Sequence, residues 1–146
     1  MRYSFTGADH ESDIKQLLAG CDLLHEDITP DLLEHFLLGW DGDRLVAVVG
    51  LEIKDRGALL RSLAVDAAYR NRKIATGLVN KIEDYAQSLQ VDSLYLLTLT
   101  AEAFFKKCGY RTTARDSAPA GIQGTAEFKN LCPATAACMV KHLSPG

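Results

Sequence analysis

The chain has four cysteines (Cys21, Cys108, Cys132, Cys138) with no Cys-x-x-Cys pair, and four dispersed histidines with no His-x-x-x-His spacing. These gaps exclude a disulfide framework, a zinc site and a histidine-based triad as organising features. Long apolar runs are also missing. The longest, Leu45 to Leu51, falls far short of the about 18 residues that mark a membrane span, and Met1-Arg2-Tyr3-Ser4 opens into polar sequence without a secretory core. Neither sign of charge dominates: 16 Lys and Arg against 19 Asp and Glu leave a net −3. That balance excludes broad electrostatic binding to nucleic acid or anionic lipid, so any anion site must be local. The reading is a reduced, soluble, cytoplasmic protein with no metal, nucleic-acid or membrane partner.

What is present is enough for a core. With 146 residues, 47% of them hydrophobic and 24% charged, the sequence reads as one domain over 1–146. A chain of this size buries roughly 68–70% of the surface its unfolded form exposes, so no staple is needed. Ile14, Leu17, Leu18 and Cys21 recur at helical spacing, with Ser12 or Asp9 as a cap and Gly20 near the stop. Thr29-Pro30-Asp31 starts a short helix through Glu34. Asp41-Gly42-Asp43 joins Phe36–Trp40 to Leu45–Ile53 as a hairpin, and Asp55-Arg56-Gly57 repeats the device before Ala58–Val65. Leu78, Val79, Ile82, Tyr85, Ala86 and Leu89 form the strongest helical stripe. Leu94–Leu99 reads as a strand buried on both faces and parallel to Ala58–Val65.

After Thr100 as N-cap, Ala101, Phe104, Phe105 and Cys108 share a helix face, and Gly109 sits where a left-handed C-cap belongs. Tyr110–Ala114 and Ala136–Lys141 are closing strands. The long segment between them, with Pro119, Gly121, Gly124, Pro133 and a helical turn near Glu127–Asn130, reads as a lid or substrate wall.

The densest cationic cluster, Arg70, Arg72 and Lys73, falls between a strand end and the start of the strongest helix. Backbone N–H groups and the helix dipole point outward at such a junction, so the cluster suits a phosphate or pyrophosphate. A solvated basic turn is the alternative. Arg61 alternates with Leu59 and Leu63 in an apolar strand, so its guanidinium must reach solvent or meet an anion: a substrate carboxylate, or an ion pair with Glu52 or Glu127. Glu52 lies on the same strand side as Val46 and Val48 and is the candidate general base, with an exposed strand-end carboxylate as the alternative. Arg115 and Thr125 are weaker substrate contacts. Ser62, Thr98 and Thr100 can donate hydrogen bonds, although strand and cap roles explain them too. Cys132, before Pro133, is a soft ligand for a metal or metalloid centre or a small buried hydrophobe.

The segment LLRSLAVDAAYRNRKIATGLV, followed by LYLLTLT and AEAFFKKCGY, resembles the GNAT superfamily of acetyl-CoA-dependent N-acetyltransferases. The resemblance implies an α/β (α+β mixed sheet) GNAT-like domain: a central mixed sheet of about seven strands, helices on both faces and a splayed parallel strand pair. Acetyl-CoA is the implied cosubstrate. Arg70 and Ala75 match the ends of the family's pyrophosphate loop, Q/R-x-x-G-x-G/A, while Lys73 replaces its first glycine. By the same resemblance Leu63, Ala64 and Val65 serve the pantetheine arm. Arg70, Asn71, Arg72, Lys73, Ala75 and Thr76 serve the phosphates, and Phe104 and Phe105 lie by the cofactor. Phe105 stands where many members carry a tyrosine able to protonate the leaving thiolate, so a stepwise acid role is not implied. More narrowly, GLE, LLRSLAV, TAEAFF and TAEFKNLCPATAACMVKHL are similar to GNAT enzymes of arsenic-resistance operons, which implies an amino-acid-like or organoarsenical primary amine as acceptor. Exposed strand edges leave a homodimer open. The competing reading is a CoA-binding sensor without turnover.

Overall fold

Local periodicity sorts the chain into alternating strands and helices in a computed structural model that describes residues 1–131 and 135–143. The strands are β1 (Arg2–Ser4), β2 (Phe36–Asp41), β3 (Arg44–Lys54), β4 (Gly57–Val65), β5 (Ser93–Thr98), β6 (Arg111–Thr113) and β7 (Ala137–His142). They form one seven-stranded sheet in the order β1-β2-β3-β4-β5-β7-β6. The helices are α1 (Glu11–Gly20), α2 (Ile74–Ser88), α3 (Glu102–Lys107) and α4 (Ala120–Gln123). The mixed α/β sheet expected from the sequence is the one formed, with β4 and β5 as its parallel pair. Among the described residues no helix is long and apolar enough to cross a membrane, and no group of three or more His, Cys, Asp or Glu is placed to hold a metal ion.

The chain divides into two compact units: Met1–Glu52 with Arg61–Ile82, and Ile53–Leu60 with Glu83–Gly146. In the first, Gly42 at φ +59 makes the tight turn that sets Asp41 opposite Arg44 and fixes the β2–β3 register. Further along that ladder Gly50 pairs with Phe36, and a Cβ at Gly50 would overlap the Phe36 ring. Helix α1 buries Ile14 and Leu18 among Ile28, Leu33, Phe36, Leu38, Trp40, Val48 and Ala64. Each buried side chain of Leu size contributes about 1.5–3 kcal/mol. The cap expected at Ser12 or Asp9 does not form. His10 holds the N-cap position without a side-chain cap bond, its ring edge-on to Trp40 at 4.7 Å, and Glu11 and Asp13 meet the helix dipole instead.

Helix α2 buries Leu78, Val79, Ile82 and Ala86. Leu89, expected on that stripe, lies past the last turn and is exposed. Gln90 at φ +69 reverses the chain there, and buried Val91 takes the apolar position while its N–H bonds the Ala86 carbonyl at 3.0 Å.

In the second unit, β7 lies antiparallel to both β5 and β6. Strand β5 ends at Thr98, one residue short of expectation, and Leu99 is exposed. Thr100 is not the cap of α3. Ala101 occupies that position, and the Thr98 hydroxyl accepts the Ala101 N–H at 2.9 Å, reaching forward three residues. Gly109, at φ +97, ends the helix as expected. The segment read as a lid or substrate wall is packed structure over its described residues. It contains a 3-10 turn at Arg115–Ser117, α4 and a π-type turn at Glu127–Leu131. Its Ala118, Ile122 and Phe128 are buried with Leu59, Tyr95, Cys138 and Val140 in a second core cluster. Apolar spacing in that stretch is too irregular to be read as periodicity.

Candidate active site

The junction that follows β4 lies wholly in the first unit. Asp66 opens it: Oδ1 accepts the Ala68 N–H at 2.9 Å and Oδ2 accepts from Arg44 Nη2 at 3.0 Å. The Ala68 hydrogen bond, then the Arg44 charge against a desolvation cost, hold the Asp66 carboxyl below its usual range. A 3-10 turn over Ala67–Tyr69 leads to Arg70, whose side chain folds back: Nε donates to the Val65 carbonyl at 3.2 Å and Nη2 meets Cys21 Sγ at 3.7 Å. Arg70 therefore braces the strand end as well as contributing charge. Tyr69 donates its hydroxyl to Asp41, which pushes its phenol above the ordinary value, and the Arg72 guanidinium stands 5.2 Å from the Tyr69 ring centre.

Asn71 and Lys73 adopt left-handed backbone at φ +65 and +59, on either side of Arg72. Asn tolerates that region, whereas Lys there costs about 1–2 kcal/mol, so the position where the family pattern has glycine does require positive φ. Residues alternating in this way turn successive N–H groups toward one side, a concavity that suits anions. Helix α2 begins at once, the Lys73 carbonyl accepting the Gly77 N–H at 3.1 Å. The first-turn amides of Ile74, Ala75 and Thr76 are then without intrahelical acceptors. Arg70, Asn71, Arg72, Lys73 and Thr76 are exposed and Ala75 is half-buried.

Upstream, β4 carries its own irregularity: Ser62 sits at φ +60 in mid-strand. The parallel register runs Gly57↔Ser93, Ala58↔Leu94 and Leu59↔Tyr95, while β4 continues to Val65 and β5 to Thr98. A left-handed residue breaks the pleat, so register stops before it. Beyond it Leu63 is half-buried, and Ala64 and Val65 are buried.

Just before Ser62, the Arg61 side chain is fully enclosed. Its Nη1 and Nη2 donate to Asp27 Oδ2 and Oδ1 at 2.5 and 2.8 Å, Nη1 also donates to Glu52 Oε1 at 2.6 Å, and Nε donates to Ser62 Oγ at 3.0 Å. The ion pair with Glu52, one of the readings open for Arg61, is present. Burial works against the charge on Asp27, but the Arg61 hydrogen bonds and positive charge outweigh it and hold the carboxyl below the usual range. Glu52 does not end its strand, since β3 runs on to Lys54, and its side chain is 10% exposed. Asp27 was missed in the sequence. The available signal was the enclosed arginine itself, which needs more negative charge than one carboxylate supplies.

The second unit holds the other residues singled out. Phe105 is buried, edge-on to Phe104 at 5.1 Å and to Tyr110 at 5.5 Å. Tyr110 donates its hydroxyl to Glu83 at 2.9 Å, and Lys141 donates to Glu83 and to the Cys108 carbonyl, both at 2.9 Å. Burial first, then the Glu83 charge, drives the Tyr110 phenol far above its ordinary value, so it holds its proton. The Thr98 hydroxyl is engaged by the Ala101 N–H just ahead of α3. Thr125 is buried and donates its hydroxyl to the Ile122 carbonyl at 2.7 Å, which leaves it a local turn role. Arg115 is half-buried in its 3-10 turn. Cys132 lies outside the described residues.

A search of curated proteins finds no match. Among solved structures, N-acetylglutamate synthase from Neisseria gonorrhoeae, complexed with coenzyme A and N-acetyl-glutamate, is similar at TM-score 0.86 and 16% identity, over 98% of this chain and 35% of that one. This chain thus spans about a third of that synthase. Rv2747 from Mycobacterium tuberculosis, in complex with CoA, is similar at TM-score 0.78 and 20% identity, over 99% of this chain and all of that one (100%). A GNAT-family acetyltransferase from Staphylococcus aureus Mu50 is similar at TM-score 0.76 and 18% identity, over 98% and 99% of the two chains. These likenesses establish the fold. The sequence itself matches the family described as Acetyltransferase (GNAT) family over residues 5–110, and with the strand, left-handed loop and helix start in place, the chain belongs to that family.

Proposed function

We propose that the protein is an acetyl-CoA-dependent N-acetyltransferase acting on the primary amine of a small molecule by direct attack in a ternary complex. The observation that carries this reading is the junction from Val65 to Thr76, where left-handed Asn71 and Lys73 and the open first turn of α2 present amides beside Arg70, Arg72 and Lys73. A pyrophosphate fits that arrangement of N–H donors and cations. Main-chain groups of Leu63, Ala64 and Val65 take the amide-bearing pantetheine arm. When bound, the cosubstrate supplies a thioester whose C–S bond breaks as the bond to the acceptor nitrogen forms. Glu52 receives the proton that the nitrogen loses, directly or through water. Phe105 has no proton to give, and a thiolate is weakly basic enough to leave unaided.

Calorimetric titration with coenzyme A, followed by thiol release against an amine panel, tests the reading. Uptake of coenzyme A with release for at least one amine is the expected result, and no uptake at millimolar ligand by folded protein refutes it. The amino-acid-like and organoarsenical acceptors implied by the resemblance to arsenic-resistance enzymes belong in that panel. A sensor that binds coenzyme A without turnover is favoured by two features, the side chain at Lys73 and the missing hydroxyl at Phe105. Stabilisation by acetyl-CoA without thiol release from any acceptor selects it. A cytoplasmic location and a homodimer through the edge strands β1 or β6 complete the proposal.

A further inference from the structure

The residue just ahead of the phosphate loop is tied to a part of the first unit distant in sequence. Tyr69 ends the 3-10 turn over Ala67–Tyr69, and Arg70 follows it. Its hydroxyl donates to Asp41, the last residue of β2, which lies opposite Arg44 across the Gly42 turn. The Arg44 guanidinium stands over the Tyr69 ring, 5.8 Å from its centre, and its Nη2 donates to Asp66 Oδ2 at 3.0 Å. The β2–β3 turn therefore grips the segment from Asp66 to Tyr69 at its first and last residues. Arg70 is braced separately, on the Val65 carbonyl and Cys21. All of these groups belong to the first unit. The loop that follows turns left-handed at Asn71 and again at Lys73. Backbone of that kind persists where its surroundings over-determine it, and a loop already in its bound shape spares binding the cost of ordering it. Tyr69 reaches into the loop as well. The Arg72 guanidinium stands over the same ring, 5.2 Å from its centre, so an exposed, rotamer-rich cation is given a fixed place beside the left-handed residues.

We propose that Tyr69 is a positioning residue for the cosubstrate's phosphates: anchored by Asp41 and Arg44, it holds the loop from Arg70 to Thr76 in its binding shape and keeps the Arg72 guanidinium beside it. This rests on the acetyltransferase reading above and deepens it, because it names what keeps the phosphate site formed. Tyr69 and Asp41 act through the loop and through Arg72, with no contact of their own to the cosubstrate required.

The test grades the anchor. Tyr69→Phe removes the bond to Asp41 and keeps the ring, and Tyr69→Leu removes both. Coenzyme A binding to each full-length variant is measured by titration calorimetry, with melting curves to give the folded fraction at the titration temperature. The parent is titrated first. Its failure to take up coenzyme A would remove the acetyltransferase reading, whereas normal uptake with variants that match the parent would remove only this inference. The expected result is affinity weakened about threefold to tenfold in Tyr69→Phe and about tenfold or more in Tyr69→Leu. With an acceptor from the amine panel, KM for acetyl-CoA should rise in step while kcat stays within about twofold of the parent. Arg72→Met should weaken binding about twofold to fivefold in the parent and have little effect in Tyr69→Leu, because the ring that holds Arg72 is already gone. A merely structural role would lower the folded fraction and leave Arg72 uncoupled from Tyr69. Unchanged affinity in both Tyr69 variants, a weakening accounted for by the unfolded fraction, a fall in kcat with KM unaltered, or additive losses for Tyr69→Leu and Arg72→Met overturns the proposal.

Discussion

Lys73 offers a clean separation of backbone from charge in the phosphate loop. Its φ of +59 is one that L-residues with a Cβ occupy at a cost of about 1–2 kcal/mol, and glycine avoids that cost. Replacing Lys73 with Ala removes the ammonium and keeps the strain, whereas replacing it with Gly removes both. Glycine also loosens the unfolded chain, which returns about 0.4–1 kcal/mol of the gain. Lys73→Gly should therefore exceed Lys73→Ala in stability by about 1 kcal/mol, or about 2–4 °C in melting temperature for a chain of this size. Both variants lose the same exposed charge, worth little in salt, so both should bind coenzyme A about twofold to fivefold more weakly than the parent. Urea unfolding and melting curves read the first difference, and calorimetric titration reads the second. A Lys73→Gly protein no more stable than Lys73→Ala would refute the strain argument. Abolished binding in both would show that the side chain, and not the amides, holds the phosphates.

Arg61→Met leaves Asp27 and Glu52 buried without compensation and should cost about 3–5 kcal/mol by denaturant unfolding, while Asp27→Asn and Glu52→Gln in the same chain should recover much of it. Because Asp27 is held below its ordinary pKa in the fold, the stability it supplies is present above about pH 4 and is lost as pH falls further. Acid melts of Asp27→Asn should accordingly decline less than those of the parent. Tyr110→Phe should cost about 1–3 kcal/mol by leaving Glu83 one donor short. Its folded phenol is raised above the ordinary value of about 10, so its contribution is complete below that pH and fades as pH climbs beyond it. Alkaline melts of Tyr110→Phe should lack that fade. Gly50→Ala forces a methyl group into the Phe36 ring and should lower stability by about 1–3 kcal/mol in urea, with Phe36→Leu in the same chain restoring part of it.

The sequence by itself determined what local chemistry controls. Gly42 and the Asp55-Arg56 pair turn the two hairpins, with Gly42 and Asp55 at positive φ, and Gly109 ends α3 because few other residues accept φ +97. The α2 stripe determined its buried face through spacing alone, and the cations beside that helix start were legible because a helix end exposes its amides whatever packs elsewhere. Tertiary structure decided the rest. Asp27 is 34 residues from Arg61, so no window along the chain could pair them; an enclosed charge recruits whichever carboxylates the fold brings near. Thr98, and not Thr100, binds the chain ahead of α3 because where β5 ends sets which hydroxyl can reach the Ala101 N–H. The left-handed turn at Ser62, φ +60, left no signal in the composition of its strand. The segment from Arg115 to Leu131 packed into a core for the same reason: Ala118, Ile122 and Phe128 are buried in one cluster with distant Leu59, Tyr95, Cys138 and Val140, which no local window brings together.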